Sequence, residues 1–270
     1  MTYLVVTEVG KGVNSMDFKS NTTQMRLLKG LLILGCAFVI LFVILVCPVY
    51  NSIRKKQAIE ALRVTHATLL QANKMYSLVT DEDMGKYNTD MPINQFAETY
   101  FTPYLDINTY CKLGSQTGCW KSPQYKDLKN KGQFNKSLYS IVLANKSVIG
   151  FHKNKEGLMT ILVDINGPVG VNKLGRDVFV FYVYNNENPP KICEEKIYKE
   201  FHIQNGLHLG GYDKCGIPHD VYDYMDLISK DFYESCNKKA VTDEFGVGSG
   251  AACAALLNKS DWMMDKNYPW

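Results

Sequence analysis

The chain has 270 residues, a formal net charge of +3 and 46% hydrophobic residues. That is enough for one sizeable core and a small extra lobe. The charge is small and scattered, and no basic stripe interleaved with aromatics occurs, so nothing points to a nucleic-acid partner.

The first 29 residues form a polar tail carrying Lys19, Arg26 and Lys29. From Gly30 to Tyr50 the run GLLILGCAFVILFVILVCPVY holds no charged residue. Its length matches the ~20 residues needed to cross a bilayer. A cleaved secretory signal has a shorter apolar core of about 7–15 residues followed by a small-residue site, and no such site follows here. A retained transmembrane helix is therefore expected over 30–50. Basic residues flank it on both sides, with Arg54, Lys55, Lys56 and Arg63 following, so charge alone does not orient it. The cysteines do. Cys36 and Cys47 lie in the apolar run, while Cys111, Cys119, Cys193, Cys215, Cys236 and Cys253 lie in the polar remainder. An even number there suits an oxidising compartment. Zinc thiolate sites need short C-x(2–4)-C pairs, whereas the closest pair here, Cys111 and Cys119, has seven residues between them. The bulk of the chain is thus placed outside the cytoplasm, with residues 1–29 as a cytoplasmic tail.

No Gly or Pro interrupts Asn51 to Asp83. Ile59, Leu62, His66, Leu69, Asn73 and Tyr76 recur at spacings of three and four, one face of a helix. One long helix is expected from about Met25 to Val79, its second half (51–83) leaving the membrane and lying against a soluble domain spanning 84–270. Pro48 falls near the join, where it frees a carbonyl or kinks the helix. Residues 84–137 are turn-rich and aromatic. A short helix is expected over Phe96–Leu105, ended by Pro103, and Cys111 to Cys119 reads as a small loop closed by a disulfide, with Gly114 and Gly118 allowing the turn.

Four strand-like runs follow: Ser137–Ala144, Val148–His152, Leu158–Ile165 and Asp177–Tyr184. Short connections between β-branched and aromatic runs imply an antiparallel meander of about four strands. One face of such a sheet must be covered, and the second half of the long helix is the expected cover. The fold class is α+β. Between the last two runs lies VDINGPVGVNKLGRDVFVFYV, where Asp164, Asn166, Asn172 and Asp177 offer hard oxygen atoms. Calcium takes about six to eight oxygens, so carbonyls and water would complete the shell. The EF-hand pattern is not met, because Gly167 falls at the fourth position and no Glu closes the loop. Alternatively Asn166-Gly167 makes a tight turn whose Asp and Asn side chains cap backbone amides. Both readings stand at this level.

Beyond Asn185 the chain is mostly loop. His202, His208 and His219 fit no zinc spacing, and His66 reads as a packing residue. The G-x-G-x-G of Gly246, Gly248 and Gly250 lacks a preceding buried strand, so it reads as a turn and not a nucleotide loop. VYDYMDLISKDFYESC holds at most a short helix. No G-x-S-x-G, H-E-x-x-H or paired acid in catalytic context occurs, which argues against an enzyme and leaves no residue to nominate for a membrane-tethered hydrolase.

In order along the chain, the proline-bearing membrane helix, KKQAIEALRVTHATLLQANKMYS, YFTPYLDI…C…GCW, the D-x-N-G…N-x-x-G-x-D-x-F pattern of the loop above and CAALLNKSDWMMD are similar to the type IV pilins and type II secretion pseudopilins. The resemblance covers most of residues 30–265. It implies a non-catalytic subunit of a pilus or secretion filament, with other pilin-like subunits and membrane assembly components as partners. It further implies a single-pass protein of the bacterial inner membrane, with its C-terminal domain periplasmic or extracellular and in contact with secreted substrates or surfaces. Proximity and the family's short loops pair Cys111–Cys119, Cys193–Cys215 and Cys236–Cys253. No cofactor is required, with calcium the one candidate. The family's processing signature, Gly followed by Phe-Thr-Leu-x-Glu, is not reproduced. Gly30 is followed by Leu31, Leu32, Ile33 and Leu34, and no Glu lies between Glu8 and Glu60. This departure at the cleavage and N-methylation site implies a divergent minor subunit or a relative retained in the membrane. A second class is a single-pass type II membrane glycoprotein acting as a receptor or adhesin, with N-x-S/T sequons at Asn21, Asn135, Asn145 and Asn258.

Overall fold

The computed structural model describes residues 16–111, 119, 125–131, 138–167, 172–190, 192–242 and 246–270. Two compact units emerge, Met1–Arg54 and Lys55–Trp270. In the first, helix α1 (Met16–Thr80) begins earlier than Met25. No Gly or Pro lies between Met16 and Lys29 to stop it, so part of the expected tail is helical. Every side chain from Leu28 to Tyr50 is exposed. This part of α1 is long and apolar enough to cross a membrane, and Pro48 sits within the helix.

In the second unit the buried stripe of α1 is Ala58, Leu62, Thr65, Leu69, Ala72 and Tyr76. Leu62, Leu69 and Tyr76 are as expected, but Ile59, His66 and Asn73 flank the stripe and are half-buried. Its centre alternates large residues with Ala and Thr, which lets the helix backbone approach the sheet closely. Thr65 keeps its hydroxyl satisfied by donating to the Ala61 carbonyl at 2.8 Å.

The sheet has six strands, not four. Its elements are β1 (Ile107–Cys111), β3 (Tyr139–Leu143), β4 (Val148–Lys153), β5 (Met159–Asp164), β7 (Val178–Tyr184) and β8 (Gly206–Leu209), paired in that order and antiparallel throughout. The two added strands are the edges. β1 carries polar Asn108 and Thr109 and is mostly exposed, while β8 is only four residues long, so neither shows the apolar alternation that marks a strand. Two short segments, β2 (Tyr125–Lys126) and β6 (Asn172–Lys173), pair in parallel beside the main sheet.

Register places one residue of each of five strands in a row across the face under α1: Tyr139, Phe151, Ile161, Phe181 and Leu209. These pack with Leu62, Leu69 and Tyr76 in one cluster, and helices α2 (Ile93–Tyr100) and α5 (Cys253–Lys259) complete that layer through Phe96, Tyr100, Leu256 and Leu257. α2 ends at Tyr100, and Pro103 lies in the 3-10 turn that follows. The opposite face is buried as well. Leu162, Val178 and Val180 pack with Tyr125, Val247 and Ala251, and Tyr182 and Tyr184 with Tyr198, Tyr212 and Ile217. All seven residues of β7 are therefore buried. Helices α3 (Glu195–Glu200) and α4 (Tyr224–Ile228) are short pieces in the loop-rich remainder.

Three disulfides staple that remainder: Cys111–Cys119, Cys193–Cys215 and Cys236–Cys253, with Cα separations of 5.9, 5.2 and 4.6 Å. Cys36 and Cys47 are free thiols. Truncating Leu69 to Ala should cost about 2–5 kcal/mol by opening a cavity between α1 and the sheet. Leu70→Ala, on the exposed side of the same turn, should stay within about 0.5 kcal/mol. Denaturant unfolding of the detergent-solubilised chain checks the pair.

Candidate functional site

The loop between β5 and β7 is the first place to look for chemistry. Asp164, at the end of β5, is fully buried. The Tyr125 hydroxyl donates to its Oδ2 at 2.8 Å, and the Asn172 amide donates to the same oxygen at 2.5 Å. The backbone N–H of Asn166 reaches Oδ1 at 3.3 Å, and the Asn172 amide also donates to the Gly167 carbonyl at 3.1 Å. The residues around Asp164 thus aim donors at it. Asp177 is nearly buried too, but its carboxylate turns to the Arg176 guanidinium, Nε to Oδ2 2.7 Å. So the side chains of Asp164 and Asn172 come together, Asn166 joins them only through its backbone N–H and is exposed, and Asp177 faces another partner.

This donor set does not fit calcium. Cation binding needs oxygen lone pairs directed inward, whereas Asn172 presents its NH2 end and Tyr125 its O–H. The arrangement instead keeps a buried carboxyl hydrogen-bonded, and it ties the β2–β6 pair to the main sheet. Burial is the main force pushing the Asp164 carboxyl up to about 7. The Tyr125, Asn166 and Asn172 hydrogen bonds hold it down in part, and the Asp177 charge raises it further. Tyr125 had no mark in the sequence, because it lies 39 residues from Asp164 in a stretch without periodicity.

The histidines do not converge on a metal. Among the described residues no group of three or more His, Cys, Asp or Glu is placed to hold one. His66 packs its ring against Phe181 and Trp262, with centroids at 5.8 and 5.7 Å. His208 Nδ1 meets Asp220 Oδ1 at 2.9 Å, and its Nε2 meets the Gln204 carbonyl at 2.9 Å. Burial lowers the His208 pKa, but the Asp220 hydrogen bond and charge outweigh it and leave it raised. His219 is fully buried against Phe232, with the Tyr233 backbone beside its ring. Burial pushes its pKa down to about 3, with the Asp220 charge and a Tyr233 backbone hydrogen bond pulling the other way.

The Gly246-x-Gly248-x-Gly250 loop is a wrapping device and not a nucleotide loop. The Gly248 N–H donates to buried Glu234 Oε1 at 2.5 Å. A Cβ on Gly246 would lie 2.0 Å from that same oxygen, and Gly248 and Gly250 sit at φ of +118° and +101°. Only glycine permits both the approach and the backbone.

Two adjoining depressions, of about 520 and 330 Å³, share Glu156 and Ile192. The larger is lined by Tyr87, Thr89, Tyr182, Asn185 and Pro190 among others, the smaller by Asn154, Tyr212, Asp213, Lys214 and Tyr233. Their walls are fixed. The Asn185 amide donates to the Tyr87 carbonyl at 2.8 Å, the Asn154 amide to the Tyr212 hydroxyl at 3.0 Å, and Lys153 Nζ to the Thr89 carbonyl at 3.0 Å. The tyrosines are buried to within a few per cent, so the depressions offer amides, carboxylates and the Lys214 ammonium around an apolar lip at Ile192, without an exposed ring face.

No family model, curated protein or solved structure matches the chain.

Four measurements test these assignments. Tyr125→Phe should cost about 1–3 kcal/mol, because a buried acceptor loses a donor, while calcium leaves the wild-type melting temperature unchanged. A raised Asp164 pKa means that its contribution is fully present below about 3.8 and is lost as pH rises toward about 7. Asp164→Asn should remove that slope. A lowered His219 pKa has the opposite sense: its contribution is fully present above about 6.5 and is lost as pH falls toward about 3. His219→Leu should match or exceed the wild type near neutral pH and flatten the acid limb, read from unfolding midpoints across pH.

Proposed function

We propose that the protein is a non-catalytic pilin-like subunit, or a membrane-retained relative of one, that contributes to a type IV pilus or type II secretion filament. The observation that carries this reading is α1. The helix that is apolar and exposed from Leu28 to Tyr50 continues, from Ala58 to Tyr76, as the buried spine of an antiparallel sheet stapled by disulfides. A chain so built has one part suited to lipid or to other apolar helices and another suited to an oxidising exterior. In this reading the first part seats the subunit in the bacterial inner membrane with the N-terminus cytoplasmic. The sheet and its loops then face neighbouring subunits, secreted substrates or surfaces.

The second reading, a type II membrane glycoprotein acting as a receptor or adhesin, is favoured by one feature. Asn145, at the exposed turn between β3 and β4, and Asn258, on α5, both begin sequons and are exposed. Of the other two sequons, Asn135 lies outside the described residues, and Asn21 lies in α1, on the cytoplasmic side in the proposed topology.

Cross-linking in the native cell separates the two. The filament reading expects the chain in the fraction sheared from cells, cross-linked to pilin-like partners, with a mass unchanged by glycosidase. A monomer that stays with the membrane, forms no such cross-links and loses mass to glycosidase would sink it in favour of the receptor. N-terminal sequencing of the extracted chain decides between a cleaved subunit, beginning just after Gly30, and a retained one.

A further inference from the structure

The segment from Asp261 to Trp270 is held along α1. It starts at the end of α5, where Asp261 and Trp262 adopt positive φ of 51° and 59° and the Trp262 N–H donates to the Leu257 carbonyl at 2.7 Å. The Trp262 ring packs on His66, and the Trp270 ring lies 6.0 Å from the Lys55 ammonium. His66 precedes Tyr76 and follows Lys55 along one helix, so the segment runs back along α1 toward its earlier residues. It is fixed in place. The Tyr268 hydroxyl donates to the Gly175 carbonyl, and the Tyr224 hydroxyl to Asp265. The Asn267 and Tyr268 N–H groups both donate to Asp265 Oδ1, at 2.8 and 3.1 Å.

Lys55 lies five residues after Tyr50, the last residue of the apolar run. Even a fully extended chain spans only about 18 Å over that distance, so Lys55 stays within reach of the surface of any bilayer that α1 crosses. The surface around it carries the features of an interfacial anchor. Trp270, beside Lys55, is half-exposed, and Lys56 is exposed. No acidic residue occurs between Tyr50 and Glu60. Tryptophan favours the headgroup level of a membrane, and lysines beside a membrane segment are drawn to anionic lipid.

We propose that Trp270, Lys55 and Lys56 form a collar that rests on the anionic headgroups of the membrane spanned by α1. The collar depends on α1 spanning a bilayer and is independent of filament assembly.

The test reconstitutes the full chain in lipid nanodiscs containing brominated phosphatidylcholine, with and without phosphatidylglycerol, and reads tryptophan quenching. Retention in the discs after alkaline extraction first reports on α1, and a chain that is not retained overturns the spanning and the collar together. For a retained chain the collar expects quenching that rises with phosphatidylglycerol and is lost in Trp270→Phe. Each basic residue at a membrane surface contributes about fivefold to partitioning, so Lys55→Gln with Lys56→Gln should lower the contacted-to-free ratio roughly 30-fold. Lys56 is exposed and Lys55 half-buried beside Trp270, so the melting temperature is read alongside, and an unchanged value assigns the lost quenching to the lysine charges. Quenching equal in wild type and Trp270→Phe, or indifferent to phosphatidylglycerol and to the lysines, overturns the collar. Shielding of Trp270 that tracks the number of chains per disc overturns it too, because it assigns the surface to a second copy.

Discussion

The architecture rests on the seam between α1 and the row of side chains crossing the sheet. Leu62, Leu69 and Tyr76 meet Tyr139, Phe151, Ile161, Phe181 and Leu209, while Ala58, Thr65 and Ala72 keep the helix backbone close enough for that contact. Large residues from the sheet fill the space left by small ones on the helix, which is how interiors reach close packing. Once this seam is fixed, α2 and α5 have a floor to pack on. The opposite face of the sheet then has its own apolar rows to cover. That second face explains why so much loop follows β7: the disulfide-closed segments serve as its lid.

Those loops are organised by carboxylates and not by regular structure. Asp213 collects the N–H groups of Cys215 and Ile217 at 2.8 Å each and the Tyr222 hydroxyl at 2.7 Å. Asp220 receives the Leu209 N–H and meets His208 Nδ1, each at 2.9 Å, and so ties its own turn to β8. Glu234 holds the glycine loop, and Asp164 holds the β2–β6 pair. Each acid does locally what a strand partner does elsewhere, satisfying backbone donors that would otherwise be buried alone. Acids dispersed through a loop-rich sequence look like metal ligands for this reason, since both roles need inward-facing oxygen. The difference lies in what faces them, and here it is N–H and O–H.

The sequence made the long helix and the four central strands legible because their apolar residues recur at the helical and strand periods. The helix stripe is less legible at its centre: Ala58, Thr65 and Ala72 carry little hydrophobic signal, and the same spacings also fit Ile59, His66 and Asn73 at its margin. β1 and β8 escaped because an exposed edge strand and a four-residue strand bury too little to pattern. The partners of Asp164 and Glu234 were out of reach for a different reason. Tyr125 and Gly248 are brought to them only by tertiary folding, and nothing local distinguishes them from loop residues.

The order in which the seam's two sides are made adds a final point. α1 is complete long before Phe181 and Leu209 exist, since over 100 residues separate Tyr76 from Phe181. During synthesis the helix stripe therefore waits without its cover, at a stage when exposed apolar surface invites aggregation. The Ala and Thr positions that let helix and sheet close up also keep that waiting stripe narrow. One sequence feature thus serves both the finished packing and the interval before it.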